Sequence, residues 1–201
     1  MNENVDIENQ SNDSLFIVAA SSRLARSRAD RMVVEGMSTE RLLPKLNDPD
    51  DIEFVQRYEY DGRLHVWSIR ESPSPILHWS RMRADDWTLF YNGGFFGAVA
   101  KVAATLESRS LASAVWGTSE ADELRHLVVF KDVTHVWAAA WQLRDLLGDR
   151  FLGFRRLADT RVTPLRDQFG SISNFIVTQI LPHTADEDTR KRRGRKPASL
   201  Q

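Results

Sequence analysis

The chain has 201 residues, 42% hydrophobic and 27% charged, with a formal net charge of −1 and no cysteine. That composition supports one packed core of ordinary domain size and excludes a disulfide scaffold, a thiolate zinc centre and a cysteine nucleophile. No apolar run approaches the ~20 residues that span a bilayer, and the start lacks the basic and apolar stretches of a signal peptide, so the sequence reads as soluble and cytoplasmic.

Residues 1–13 carry Glu3, Asp6, Glu8 and Asp13 without a Lys or Arg, and read as an acidic disordered tail. Residues 14–20 (SLFIVAA) are a short apolar run with the length of a strand. Residues 21–35 set four arginines against Leu24, Ala25, Ala29, Met32 and Val33, the pattern of a helix with one apolar side. STERLLPKL (38–46) begins with a helix cap and is interrupted by Pro44, and NDPDD (47–51) reads as a turn. RLHVWSI (63–69) then alternates with period two, and SPSPI (72–76) breaks the strand. DWTLFY (86–91) and FFGAVAKVA (95–103) flank Asn92-Gly93-Gly94, a hairpin signal. HLVVF (126–130) predicts a buried strand, WAAAWQLRDLL (137–147) a helix stopped by Gly148, and residues 162–178 a second helical region with Pro164 near its start. The sum is α+β, a small curved sheet or barrel with helices attached. The body spans 14–182, with 14–58 as an N-terminal strand and helical extension and 60–177 as its core.

Residues 183–201 form a tail expected to be disordered. Arg190, Lys191, Arg192, Arg193, Arg195 and Lys196 crowd into seven positions and repel one another. Phosphates are their natural target, because each neutralised phosphate releases counterions. RRGRKP also resembles a degenerate AT-hook, an arm that lays Arg in the narrow minor groove. The other reading is a solubilising tail.

Metal and catalytic signals are sparse. His65, His78, His126, His135 and His183 lack paired ligand spacing. Asn92-Gly93-Gly94 is not followed by Lys-Ser/Thr, and no Gly-x-Ser-x-Gly occurs, so neither a phosphate loop nor a nucleophile elbow is present. The acidic segment Asp48, Asp50, Asp51 and Glu53 keeps open a nuclease using bound metal, with an exposed turn as its plainer reading. No cofactor is expected.

Six tryptophans carry more information: Trp67, Trp79, Trp87, Trp116, Trp137 and Trp141. Trp137 and Trp141 are four apart and read as one packed helix face, and Trp87 reads as core. Trp67 ends a strand before a Ser/Pro loop, Trp79 lies in the loop beyond among Arg70, Arg81 and Arg83, and Trp116 stands beside Gly117. Aromatics at loop mouths beside arginines suit stacking on an unpaired base, and all three also suit a core.

These segments, in this order, resemble the YTH/EVE branch of PUA-like domains. HVWSI resembles the YTH segment in which a Trp-Ser pair leads the modified-base pocket. DDWTLFYNGGFFGAVAKV resembles the hairpin of the barrel wall, with Asp85-Asp86 where the family has Gly-Asp, and HLVVFKDV resembles a later strand ending Lys-Asp-Val. Trp116 stands where the family places a second cage tryptophan. FLGFRRL and QFGSISNF are similar to the EVE-like readers at the N-terminus of McrB-type restriction proteins. The resemblance covers residues 60–177.

It implies a PUA-like barrel flanked by helices. Trp67 and Trp116 would be opposing pocket walls, Ser68 a polar contact to the base edge, and Leu127 the floor where many YTH domains have Trp. Trp79 has no family counterpart and stands as a pocket or strand-separating residue. Arg70, Arg81, Arg83 and Lys101 are candidate phosphate contacts. The implied function is non-catalytic recognition of a modified base, in DNA rather than RNA, within a defence system that supplies a partner nuclease or motor. The alternatives are an RNA reader of the same type and the nuclease at 48–53.

Overall fold

The computed structural model describes residues 13–148 and 150–184. Arg190, Lys191, Arg192, Arg193, Arg195 and Lys196, with the AT-hook-like segment they form, lie outside the described residues. Strand β1 (Leu15–Ala19) is apolar throughout because it is paired on both edges. Helix α1 (Arg23–Ala29), capped by the Ser22 hydroxyl, continues as one wider turn over Asp30–Val34. The short strand β2 (Met37–Ser38) follows, then α2 (Thr39–Leu42), which tightens into a 3-10 turn at Leu43–Lys45 where Pro44 ends it.

Two segments that the sequence reads as turns are helices. Helix α3 (Pro49–Tyr58) begins inside NDPDD: the Asp48 side chain accepts the Asp50 N–H, and Pro49 takes the first helical position, where no intrahelical acceptor is lost. After β3 (Arg63–Ile69), the SPSP segment starts α4 (Pro73–Trp79). Pro73 and Pro75 both lie in its first turn, whose N–H groups have no partner within a helix, so the prolines cost nothing there. Trp79 therefore stands at a helix end rather than in a loop.

The hairpin is as expected. Strands β4 (Trp87–Tyr91) and β5 (Phe95–Glu107) are joined through Gly93 and Gly94 at φ 59° and 113°, a left-handed turn that a side chain would strain. Helix α5 (Arg109–Trp116) places Trp116 on its last turn, before Gly117. Strand β6 (His126–Ala139) is far longer than HLVVF. It absorbs Trp137, which stacks on Phe95 of β5 at 4.6 Å, and the chain turns helical only at Ala140. Trp141 is 73% exposed, so the expected shared helix face does not exist. Helix α6 (Arg144–Leu147), β7 (Phe154–Arg156), α7 (Asp159–Phe169) and α8 (Ile172–Phe175) complete the described chain, with further helical turns to His183. Pro164 lies inside α7, not at its start.

The architecture is α+β, a mixed seven-stranded sheet in the order β2-β3-β6-β5-β4-β1-β7. Strands β1 and β4 run parallel and the other pairs antiparallel. The hydrogen-bond ladder is open, since β2 and β7 are not paired, and α4 instead touches both β3 and β7. Register shifts at three places along β5 and β6 bend the longest pair. Three apolar clusters fill the interior: one beneath α6–α8, one around Phe16, Phe90 and Phe130, and one under α2, α3 and α5.

The boundaries also shift. Asp13, assigned to the acidic tail, is buried: its carbonyl accepts from Arg166 and its carboxylate from Ser173. Residues 14–58 pack into the same sheet as the rest, with β1 between β4 and β7. At the other end Thr184 bridges Val136, so the ordered body passes residue 182. Among the described residues no helix is long and apolar enough to cross a membrane.

Candidate nucleic-acid interface

Trp67, Trp79 and Trp116 come from three elements far apart in sequence, and the fold brings them together. Trp67 is on β3, opposite Val128 of β6, and its ring meets Phe90 edge-on at 6.0 Å. Trp116 meets Trp67 at 6.0 Å with the planes 84° apart, and its indole N–H donates to the Ser68 hydroxyl at 2.6 Å. Trp79 donates its N–H to the Leu127 carbonyl at 3.0 Å and sets its ring edge-on to His126 at 4.8 Å. The three rings are each half-buried, whereas Ser68 is buried and the Leu127 side chain fully so. Leu127 thus contributes its carbonyl to the group and its side chain to the core cluster on which Trp116 packs.

The two expected walls are perpendicular and touching, not parallel and apart. A base held between two faces needs them about 7–8 Å apart, two van der Waals contacts. Arg28 of α1, a residue the sequence reading passed over, sits 5.4 Å above the Trp116 ring. Its guanidinium also makes two hydrogen bonds to Glu120, at 2.7 and 2.8 Å, which hold the Glu120 carboxyl below its usual range. One face of Trp116 is thereby covered by a charged side chain that Glu120 holds in place.

The four arginine and lysine candidates separate. Arg70 pairs with Glu123. Lys101 lies over the Trp87 ring at 4.9 Å and 3.7 Å from Asp132. Both cations are engaged within the protein. Arg81 and Arg83 line a cleft of about 470 Å³ with Arg156; Arg83 donates to the Ser80 and Met82 carbonyls, and Arg156 pairs with Asp159. Arg156 also lines a neighbouring cleft of about 290 Å³ with Arg150, Arg155 and Arg161. None of these last four was singled out from sequence, although five arginines fall between 150 and 166.

The acidic segment at 48–53 holds the fold together. Asp48 caps α3, and Glu53 pairs with Arg57 one turn on. Asp51 is buried and accepts from the hydroxyls of Ser108 and Ser110, fixing α5 against α3, and burial pushes its carboxyl up from the usual range. Among the described residues no group of three His, Asp or Glu is arranged to hold a metal ion. Asp51→Ala is expected to cost about 1–3 kcal/mol in urea unfolding, by removing the buried acceptor that joins α3 to Ser108 and Ser110, against under about 0.5 kcal/mol for the exposed Asp50→Ala.

No family model matches the chain, and no curated protein matches it either. Among solved structures it is similar to the N-terminal domain of Thermococcus gammatolerans McrB bound to m5C DNA. The TM-score is 0.57 at 17% identity, covering 79% of this chain and 98% of that one. At that identity the likeness establishes a shared fold.

Proposed function

We propose that the protein is a non-catalytic reader of a modified base in DNA, and that the base leaves the duplex to stack on the Trp67–Trp116 pair. The observation that carries this reading is the meeting of Trp67 and Trp116 at Ser68, with Trp79 bonded to the carbonyl of Leu127, the strand partner of Ser68. The likeness to a domain solved on m5C DNA supports it, as does the resemblance of the HVWSI and HLVVFKDV segments to YTH/EVE domains. In this reading the open sheet with α4 across its gap is a variant of the PUA-like barrel.

A base inside a duplex cannot reach an aromatic site, and extruding it costs a few kcal/mol. Stacking returns about 1–3 kcal/mol per base. The base takes the face of Trp116 that Arg28 covers, so Arg28 swings aside and Trp67 turns from its edge-on contact. Burying one methyl adds about 0.8 kcal/mol, only several-fold in affinity, so discrimination also draws on the cost of desolvating an unmodified base edge beside Ser68. In this reading the domain targets a partner nuclease or motor of a defence or restriction system to modified DNA.

The test is a titration of the full chain with duplex DNA carrying methylcytosine, methyladenine or hydroxymethylcytosine, or unmodified, and with matched RNA, at two salt concentrations. We expect one modified duplex to bind at least ten-fold more tightly than the unmodified one, with the ratio preserved at higher salt. Equal, steeply salt-dependent binding to every duplex would end the base-pocket reading, and preference for modified RNA would reassign the ligand.

A further inference from the structure

The arginines around β7 form a second feature, beside helix α4. Arg156 joins two adjoining clefts, one shared with Arg81 and Arg83 and one with Arg150, Arg155 and Arg161. Among the described residues no carboxylate lines the second cleft. Three carboxylates share the first: Asp86 accepts the backbone N–H groups of Ser14 and Arg83, Asp13 accepts from Ser173, and Asp85 pairs with Lys131. Asp159 offsets only Arg156, at 3.0 Å. The concentrated positive charge is felt at His78, whose imidazole is held below its usual range by burial and then by Arg81, Arg156 and Arg155. The Nε of Arg155 and Nδ1 of His78 are buried with no hydrogen-bond partner among the described residues.

Position gives the strip its meaning. His78 and Trp79 are consecutive on α4: His78 packs edge-on against Phe154 of β7 at 6.4 Å, and Trp79 packs against His126 of β6. Helix α4 therefore carries one ring of the aromatic group and borders the arginines of β7. DNA places a phosphate every ~3.4 Å of axis along each strand, so a strand with one base at the tryptophans carries its next phosphates past neighbouring arginines.

We propose that Arg81, Arg83, Arg150, Arg155, Arg156 and Arg161 form the surface that grips the phosphodiester backbone of duplex DNA, in place of Arg70 and Lys101. The inference rests on the reader proposed above for its ligand, but its own readout is separate. A phosphate contact carries no sequence or methyl information, and it sets the salt dependence.

The experiment titrates the full chain, wild type and variants, with modified and unmodified duplexes over a series of salt concentrations. Arg155→Ala combined with Arg156→Ala should weaken binding to both duplexes about 10- to 100-fold. It should lower the slope of log K against log salt by about 1.8, at ~0.9 for each phosphate left unneutralised, and keep the modified-to-unmodified ratio unchanged. Arg156 also bonds Ser14, so the exposed pair Arg150→Ala and Arg161→Ala provides a second variant with less risk to the fold, expected to act in the same direction. Arg109→Ala, which removes a charge paired with Asp122, is the control expected to change neither quantity. Unchanged affinity and slope in both double variants would overturn the strip while leaving the reader standing if selectivity persists. Binding that loses its slope in these variants but never distinguishes the modified duplex would uphold the strip and overturn the reader.

Discussion

Trp116→Ala should remove discrimination for the modified base while leaving the protein folded. The ring is half-buried, and Arg28 lies over its face. Losing one stacking face is worth about 1–3 kcal/mol, roughly 5- to 150-fold in affinity for the modified duplex. Trp67→Ala should act in the same direction with a larger stability cost, because its ring also packs on Phe90. Trp87→Ala supplies the contrast. That ring is 6% exposed and donates its N–H to Ser173, so truncation should cost about 3–5 kcal/mol of stability, the range for a core tryptophan. Arg28→Ala should move the other way and tighten binding, since it uncovers the face the base would use. Urea unfolding and duplex titration on the four variants separate these effects. If Trp116→Ala unfolds as readily as Trp87→Ala, or keeps full selectivity, the ring is core and the reader falls.

How much of this was legible in the sequence depends on how local each signal is. Strand β3 shows as period-two alternation, and the β4–β5 hairpin as two apolar runs around Asn92-Gly93-Gly94, because both depend on neighbours within a few residues. Helix α4 was hidden because proline is read as a breaker, yet its prolines fall in the one turn that tolerates them. The end of β6 was hidden because Trp-Ala-Ala-Ala-Trp fits a helix equally well, and only pairing with Phe95 and Phe96 of β5 decides it. The aromatic group was legible as residue types but not as geometry. The perpendicular approach of Trp67 and Trp116, and the placing of Arg28 over the latter, join residues 49 and 88 positions apart in the chain. The β7 arginines were overlooked because FLGFRRL matters only once α4 is known to lie beside it.

Asp86→Ala should be the most destabilising single change at a charged position, and it should carry a pH signature. The Asp86 carboxylate accepts the Ser14 N–H at 2.6 Å and the Arg83 N–H at 2.7 Å, while its own carbonyl accepts from Val102. The side chain thus ties the entry of β1 to the segment after α4, while the backbone of the same residue joins strand β5. Stranding two backbone donors at about 1–3 kcal/mol each predicts a loss of about 2–6 kcal/mol, and Asp86→Asn should lose roughly half, since its amide turns a donor toward one of them. Burial is the larger influence on the carboxyl and raises it above its ordinary 3.8. A raised native value means that the folded state holds the proton more firmly than the unfolded one. The stability Asp86 contributes is therefore fullest below pH 3.8, falls as the pH rises through the native value, and is constant above it. The gap in unfolding free energy between wild type and Asp86→Ala should accordingly narrow from acid to neutral pH. A gap that widens instead would mean that the backbone donors outweigh burial and hold the carboxyl down. The same variant should also weaken DNA binding without altering selectivity, because Asp86 anchors the segment that presents Arg81 and Arg83, and a stability loss with fully retained affinity would separate that segment from the phosphate surface.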